Sequence, residues 1–402
     1  MFELDSVLAF DPARDDEFLA SLPARPAVFL IEMHAPDARP YLARTADLQR
    51  RLGILLGPVQ QPSRRLNLRE IAARVRYRVV GSAFEQLMVL YHHAVRIHAG
   101  RHRSWMRLRP PVVVKLKLSS AYPRAYVTRR ILDDAALYIG PFGTRRSADA
   151  FLSQSLNFFK IRRCQIRIRR DPTFPGCLYS EMKMCMAPCF AGCSDQEYAA
   201  EVVRVESFLA SSGASLVGEY EQSRDAASAA LDFERSAAIH KKIEKVTATL
   251  RLLPELARRI GDLDAVILQR ATADQTVAAF AVRSGFLSPP FLLEFASLAA
   301  DPRSVEAILR EHLESEPPAD LPGGPRLPLP DRQAGAGAGS LALMADHLSL
   351  LTRWYYSKPR AGEIFYAEPA RGSLPAGAGV PPARVWPYRR IVRACSRLLG
   401  QP

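Results

Sequence analysis

Residues 162–193 read RRCQIRIRRDPTFPGCLYSEMKMCMAPCFAGC, and the rest of the chain is organised around this segment. Four of its cysteines stand at C-x12-C-x7-C-x3-C, and Cys193 follows; the four are Cys164, Cys177, Cys185 and Cys189. Five of the six cysteines in the chain therefore lie in one loop-rich segment, whereas cysteines of buried cores scatter along a sequence. Thiolates gathered in this way indicate either a disulfide framework or a soft metal centre.

The cellular compartment decides between these two interpretations. The N-terminus, MFELDSVLAFDPARDDEF, carries acidic residues where a leader would have a basic start and an apolar run. No later segment approaches the roughly twenty uninterrupted apolar residues of a membrane span. We therefore expect a cytoplasmic protein that does not enter a membrane. Because the cytoplasm is reducing, the cysteines favour a metal site over disulfides.

The charge of the chain predicts a polyanionic partner. Its 55 Lys and Arg exceed its 41 Asp and Glu, which gives a net charge of +14. The alternative is a merely solvated basic surface, but the arginines are clustered in two runs, and clustering favours nucleic acid. The candidate DNA contacts are Arg101, Arg103, Arg107, Arg162, Arg163, Arg167 and Arg169.

Downstream of the cysteines, residues 194–260 have the pattern of consecutive helices. Ser194 followed by Glu197 is a capping box, and it predicts a helix that ends near Leu209. A second helix is expected over residues 214–230, and Asp232 is a good N-cap for a third. In the third, apolar residues recur at steps of four and three, as in a coiled coil; they are Ile239, Ile243, Val246, Leu250 and Leu253. Such a seam packs within its own hairpin or accepts a partner helix.

Upstream, residues 1–109 predict a small α/β domain. Residues 27–31 and 39–43 are candidate strands of a hairpin, and helices are expected from Asp47 and over residues 82–98. Residues 110–193 then comprise linking strands near residues 112–116, 125–128 and 137–143, a helix, and the cysteine segment.

Beyond the helices, residues 261–315 predict a second small α+β domain with three strands and a helix from about residue 303. Residues 316–340 have the Pro/Gly composition of a disordered or extended linker. Residues 341–402 are expected to form C-terminal helices and a tail. The chain as a whole is therefore predicted to belong to the α+β class, and its 402 residues suffice for two or three cores.

Several of these motifs together resemble the UvrC family of excision-repair proteins. Residues 26–29 and 41–43, with Arg51 ten residues after Tyr41, are similar to a GIY-YIG nuclease domain. Residues 123–142 resemble the family's linking segment, and the cysteine spacing with Ala187-Pro188-Cys189 resembles its cysteine region. Residues 230–243 resemble the UVR motif, within a helical hairpin at about 220–255. The resemblance covers roughly residues 24–295, in the family's order.

The resemblance implies a cofactor and two partners. The family's cysteine region holds an iron-sulfur cluster, so Cys164, Cys177, Cys185 and Cys189 become the implied ligands of a cluster of the 4Fe-4S type. The UVR motif implies binding of a UvrB-type helicase subunit, with Phe233, Glu234, Ile239 and Ile243 as the implied contacts. DNA is the second implied partner.

The departures from the family decide what activity to expect. GIY-YIG chemistry uses a tyrosine, an arginine and a metal-binding glutamate. Tyr41 and Arg51 are present, but Phe29 replaces the first-motif tyrosine, Ala27 and Ala43 replace glycines, and Leu90 or Leu87 stands where the glutamate belongs.

Glu85 is the one nearby acid that could substitute for that glutamate, so the candidate catalytic set is Tyr41, Arg51 and Glu85, and Mg²⁺ binding is in doubt. The family's second, ribonuclease-H-like domain is not found before Pro402. We therefore expect a UvrC-like repair protein whose nuclease activity is lost or weak. The alternative is an active single-incision endonuclease.

Overall fold

The computed structural model describes residues 2–58, 65–134, 136–298, 304–315, 338–369 and 384–400. Within these ranges the chain combines helices with several small antiparallel sheets, which confirms the predicted α+β class. Of the predicted linker, residues 316–337 lie outside the described residues, and residues 338–340 already belong to a helix. No helix in the described part of the chain combines the length and the apolar character needed to cross a bilayer.

The N-terminal unit is a four-stranded antiparallel sheet with helices on both faces. In the order β1-β4-β2-β3, its strands are β1 (Ser6–Ala9), β2 (Ala27–Met33), β3 (Tyr41–Thr45) and β4 (Ala72–Val79). Its helices are α1 (Asp15–Ala20), α2 (Leu48–Leu56), α3 (Ala83–Ile97) and α4 (His102–Trp105). The predicted β2–β3 hairpin is present, and α2 and α3 begin where the sequence predicted helices, with Asp47 and Ser82 as their caps.

Strand alternation sends neighbouring side chains of this sheet into two separate cores. Phe29 and Ile31 of β2 pack with α1 and α2. Val28 and Leu30, one residue away in each case, pack with α3. Any two side chains on opposite faces of this sheet are therefore separated by its full thickness.

The middle unit is a second antiparallel sheet followed by a run of helices. The sheet has the order β6-β5-β7-β8, with β5 (Val112–Lys117), β6 (Ala125–Thr128), β7 (Ala136–Phe142) and β8 (Arg258–Arg259). The helices are α5 (Arg145–Ser155), α6 (Leu178–Glu181), α7 (Asp195–Ala210), α8 (Ala214–Ala229) and α9 (Phe233–Leu250). The Ser194–Glu197 capping box starts α7 as predicted.

The apolar seam of α9 packs within its own hairpin. Ile239 and Val246 are buried, Ile243 is half-buried, and Val246 and Leu250 join the core that contains α7. Of the two alternatives for this seam, the internal one is present. A partner cannot contact Ile239 without opening the α8–α9 pair.

The third sheet combines four strands from residues 265–294 with one strand from residues 363–366. Its strands are β9 (Ala265–Arg270), β10 (Thr276–Arg283), β11 (Phe286–Leu287), β12 (Phe291–Glu294) and β13 (Glu363–Tyr366). The accompanying helices are α10 (Phe295–Leu298), α11 (Val305–Glu314), α12 (Ala338–Tyr355) and α13 (Tyr388–Gly400), and β14 (Glu368–Pro369) pairs with β15 (Arg384–Val385).

The boundary expected between residues 261–315 and 341–402 does not separate two units here. Strand β13 pairs with β9 in one sheet, and α13 shares a core with α11. The physical reason is that β10 covers one hydrogen-bonding edge of β9 and β13 covers the other, which would otherwise be unpaired.

Candidate functional sites

Tyr41 and Arg51 form the part of the predicted nuclease site that the structure brings together. The Tyr41 hydroxyl on β3 accepts a hydrogen bond from Nη2 of Arg51 on α2 at 3.2 Å. Phe29 lies beside Tyr41 with ring centroids 6.2 Å apart, so an apolar ring stands where the family has a second hydroxyl. A phenol and a guanidinium in this arrangement can bind a phosphate oxygen.

Glu85 lies on the other face of the sheet. Its carboxylate accepts a hydrogen bond from the backbone N–H of Gly81 at 2.9 Å and lies 3.6 Å from Nη2 of Arg78. Arg78 pairs with Val28 in the ladder and therefore shares the α3 face, whereas Tyr41 packs on the α2 face. The structure thus does not unite Glu85 with Tyr41 and Arg51, because helix capping and an ion pair hold it elsewhere.

In the described part of the chain, no acid joins Tyr41 and Arg51 in the candidate nuclease site. Leu87 and Leu90, the two positions that could align with the family's glutamate, are buried in the α3 core. Among the described residues, no carboxylate forms a hydrogen bond or ion pair with Tyr41 or Arg51, and no group of three or more His, Cys, Asp or Glu could hold a metal ion.

The four cysteines predicted as ligands influence one another electrostatically. Burial, with smaller contributions from the nearby Cys164, Cys189 and Cys177, raises the pKa of Cys185 to about 11. Burial also raises the pKa of Cys189, with added contributions from Cys177 and Cys164. By contrast, Cys395 is buried in the separate core of α11 and α13.

The loop that carries these thiols is held in a defined conformation. Arg162 is buried: its Nε donates to the carbonyl of Tyr122 at 2.8 Å, and its Nη1 donates to that of Ile166 at 2.7 Å and lies 3.9 Å from Cys164 Sγ. The N–H of Asp171 donates to the carbonyl of Cys189 at 2.9 Å. Ala187 and Ala191, which flank Cys189, both adopt positive φ, at 57° and 61°.

These thiols have the donor chemistry that an iron-sulfur cluster requires, because thiolates are the ligands such clusters use. Among the described residues, no group of three or more Cys, His, Asp or Glu side chains is already gathered at metal-binding distances.

Of the predicted DNA contacts, three donate hydrogen bonds to other groups of the protein. Arg162 is buried as described. Arg163 donates to the carbonyl of Leu156 at 2.6 Å, and burial lowers its pKa. Arg103 forms an ion pair with the buried Asp346, with Nε 2.6 Å from Oδ1. The side chains of Arg162 and Arg163 point towards the protein and donate to its backbone carbonyls.

The other four predicted contacts are available to a partner. Arg101, Arg107, Arg167 and Arg169 are exposed. Among the described residues, none of their side chains forms an ion pair. They form two groups, one beside α4 and one beside the cysteine loop.

The first of these groups also contains an aromatic residue, Trp105, which was not among the predicted contacts. Trp105 stacks on the ring of His98, with centroids 4.5 Å apart and the planes at 27°. The pattern RHRSWMR at residues 101–107, an aromatic residue inside a basic run, was the available signal.

The tip of the α8–α9 hairpin is apolar and exposed. Leu231 and Phe233 are 73% and 66% exposed, so neither side chain is buried in the core of the protein. Glu234 is exposed beside them. Of the four predicted partner contacts, Phe233 and Glu234 are accessible at the tip, whereas Ile239 and Ile243 belong to the internal seam.

Comparison with known proteins gives one consistent family. Residues 112–208 match the model of the UvrC/Cho excinuclease middle domain. The chain is similar to UvrABC system protein C of Oleidesulfovibrio alaskensis, with 27% identity over 67% of this chain and 38% of that relative. For the protein of the same name from Geobacter metallireducens, identity is 24% over 83% of this chain and 53% of the relative.

A third relative, UvrABC system protein C of Ruegeria pomeroyi, is 29% identical over 44% of this chain and 30% of its own length. The chain thus spans about half, or less, of the length of these curated relatives. No solved structure matches it.

Proposed function

From the premise that this chain is a divergent UvrC-family protein, we propose that it acts in nucleotide excision repair. In this proposal it is a cytoplasmic adaptor that binds DNA and a UvrB-type subunit. Its strand-cutting activity is lost or weak. The observation that carries the loss of activity is the position of Glu85, on the face of the sheet opposite Tyr41 and Arg51.

The chemistry explains why this separation matters. A divalent ion beside the reacting phosphate supplies several kcal/mol of charge stabilisation in the transition state. Without a carboxylate to hold that ion, a rate loss on the order of a thousandfold or more follows. The Tyr41–Arg51 pair keeps the capacity to bind a phosphate, which suits a protein that grips DNA without cutting it.

Binding to the UvrB-type subunit is proposed at the tip of the α8–α9 hairpin. Leu231 and Phe233 project there without burial, and Glu234 adds a charge at the edge of the apolar pair. Exposed aromatic anchors of this kind dominate many interfaces. Phe233→Ala should weaken binding on the order of tenfold or more. Leu252→Ala, an exposed leucine beyond the hairpin, is the matched control.

The alternative function, an active single-incision endonuclease, is supported by the retained hydrogen bond between Tyr41 and Arg51. Damaged plasmid incubated with magnesium and the UvrA and UvrB subunits separates the two. We expect no nicking above background. Magnesium-dependent nicking that disappears in Tyr41→Phe and persists in Leu132→Ala, an exposed leucine of the linking segment, would establish the alternative.

We also propose that Cys164, Cys177, Cys185 and Cys189 hold an iron-sulfur cluster that fixes the loop between α5 and α7. Their mutual electrostatic influence supports this grouping. Protein purified without oxygen should contain iron and sulfide in equal amounts, and Cys189→Ser should lose both. Cys395→Ala should keep them, because that thiol lies in another core. A colourless, iron-free preparation with reducible thiols would contradict the cluster.

A further inference from the structure

We infer that Trp105, stacked on His98, forms a platform for an unpaired base of single-stranded DNA. The inference rests on the proposed function and deepens it, because it specifies which form of DNA this surface prefers. It concerns the turn between residues 98 and 109, which includes the short helix α4.

The first observation is the exposure of the ring. Trp105 is 40% exposed, whereas the other two tryptophans, Trp354 and Trp386, are 5% and 7% exposed. Its neighbour Met106 is buried in the α3 core and anchors the turn, so Trp105 is not needed to fill that core. One face of the indole lies against His98, and the residue still keeps 40% of its surface exposed.

The second observation is the charge around the ring. Arg101 and Arg107 flank it on the same turn, and both are exposed. Arg39 lies close enough to act on His98: burial and this guanidinium lower the pKa of His98, which favours the neutral form of the ring under Trp105. Two further guanidinium groups add positive charge near the turn. Arg353 donates to the carbonyl of Met106 at 3.1 Å, and Arg44 lies close to Arg353.

The third observation is that the turn is fixed before any ligand binds. His102 and Arg103 both contact the buried carboxylate of Asp346, at 3.0 and 2.6 Å. Arg353 holds the backbone at Met106. A surface that is already ordered loses little conformational entropy on binding.

These observations together favour an unpaired base over other occupants. A base in a duplex already has both faces stacked, so only an unpaired base can gain from an exposed indole. A protein partner would need a wider apolar area, and between residues 98 and 109 Trp105 is the one large hydrophobic side chain that is exposed. The surrounding guanidinium groups match the phosphates that accompany each base.

Intrinsic fluorescence tests the inference directly, because Trp105 is the exposed tryptophan of the three. Titration of the full chain with oligo(dT) of about ten nucleotides, a length within the usual range of single-strand sites, should quench the emission. A duplex of equal length should quench it far less. Trp105→Phe should lose the quenching yet bind oligo(dT) within about threefold of wild type in fluorescence anisotropy, because phenylalanine also stacks.

Trp105→Ala should weaken oligo(dT) binding on the order of tenfold, the usual effect of removing one stacking ring, while duplex binding changes little. Arg107→Gln should weaken both and reduce the slope of log K against log salt by about one. The buried Trp354 and Trp386 report folding in every variant.

The outcomes separate the inference from the function it rests on. Wild-type affinity for oligo(dT) in Trp105→Ala overturns the platform and leaves DNA binding intact. A wild-type protein that binds neither duplex nor single strand overturns the proposed function, and the platform with it. Tighter binding of oligo(rU) than of oligo(dT), lost in Trp105→Ala, would show that the platform serves RNA and would overturn the assignment to DNA.

Discussion

The carboxylate of Glu85 stabilises the start of α3 in two ways. The carboxylate accepts a hydrogen bond from the otherwise free backbone N–H of Gly81. The backbone N–H of Glu85 donates to the Ser82 hydroxyl at 3.1 Å. The carboxylate also pairs with Arg78 from the neighbouring strand. The Ser82 hydroxyl thus satisfies one free donor of the first turn, and the Glu85 carboxylate fixes Gly81, the residue before the cap.

Glu85 should therefore matter for stability and not for cutting. Glu85→Ala leaves the Gly81 N–H without its partner and removes the Arg78 ion pair, so we expect it to lower the free energy of unfolding by about 1–3 kcal/mol in urea denaturation. Glu70→Ala, whose side chain is 85% exposed, should change it by less than about 0.5 kcal/mol. Equal stability of the two variants would contradict the capping role.

His347 gives the folded protein a pH dependence. Its ring accepts a hydrogen bond from the N–H of Leu287 at 3.0 Å, and burial lowers its pKa from 6.5 to about 4. The neighbouring Asp346 opposes that shift, and the rings of Tyr91 and Phe286 pack against the imidazole.

Between pH 6.5 and about 4 the unfolded chain binds a proton at His347 that the folded protein does not. Stability should therefore fall as the pH drops through this window, by at most about 3 kcal/mol from this residue. His347→Gln should flatten that acid limb, and His240→Gln, an exposed histidine, should leave it unchanged. An identical limb in His347→Gln would contradict this account.

At the scale of elements, the turn from α7 to α8 sets how the hairpin meets the middle core. Ser212 and Gly213 have φ of 51° and 91°, and a Cβ on Gly213 would lie 2.4 Å from Leu250 Cδ2 at the end of α9. The turn thus needs both a left-handed backbone and the absence of a side chain.

Two glycine substitutions should therefore have opposite effects. Gly213→Ala meets Leu250 and a strained φ, so it should reduce the free energy of unfolding by about 1–3 kcal/mol. Gly218→Ala, inside α8 with nothing within 4 Å of its Cβ, should increase it by about 0.5–1 kcal/mol. Thermal or chemical denaturation of both variants measures the difference, and a stabilising Gly213→Ala would refute the argument.

The elements also show what sequence reasoning could and could not reach. Ser194 and Asp232 identified helix starts because a cap needs only neighbouring residues. Strand β4 was missed although Val75 and Tyr77 alternate with arginines, since arginine on every second position disguises a strand that is apolar on one face.

The candidate sites divide along the same line. The Tyr41–Arg51 contact joins a hairpin strand and the next helix, which are local, so the resemblance of these short motifs was enough to pair the two residues. The separation of Glu85 depends on which face of the sheet α3 covers, and the internal use of Arg103 depends on Asp346, which lies 243 residues away. No local sequence pattern predicts the separation of Glu85 or the ion pair of Arg103, because both arise from tertiary packing.

At the scale of the whole molecule, Asp346 ties the C-terminal region to the N-terminal unit. This buried carboxylate on α12 accepts hydrogen bonds from Tyr91 on α3 at 3.1 Å and from His102 on α4 at 3.0 Å, and it pairs with Arg103. Trp354, further along α12, contacts Phe84 of α3 with ring centroids 5.2 Å apart. The same helix therefore contributes to the largest core and to its principal buried polar network.

Removing this carboxylate should weaken the whole molecule and not one loop. Asp346→Ala leaves the Tyr91 hydroxyl and the His102 ring without their acceptor, so we expect the free energy of unfolding to fall by roughly 2–4 kcal/mol. In a double-mutant cycle, Asp346→Ala with Tyr91→Phe should show a coupling of at least about 1 kcal/mol, because the two groups share one buried hydrogen bond. The exposed pair Arg397–Glu363 serves as the matched control, with a coupling below about 1 kcal/mol.

Because Asp346 belongs to the region that supplies β13, its loss should also lower the unfolding temperature of the third sheet and the N-terminal unit together, so two separate transitions in calorimetry would contradict the link.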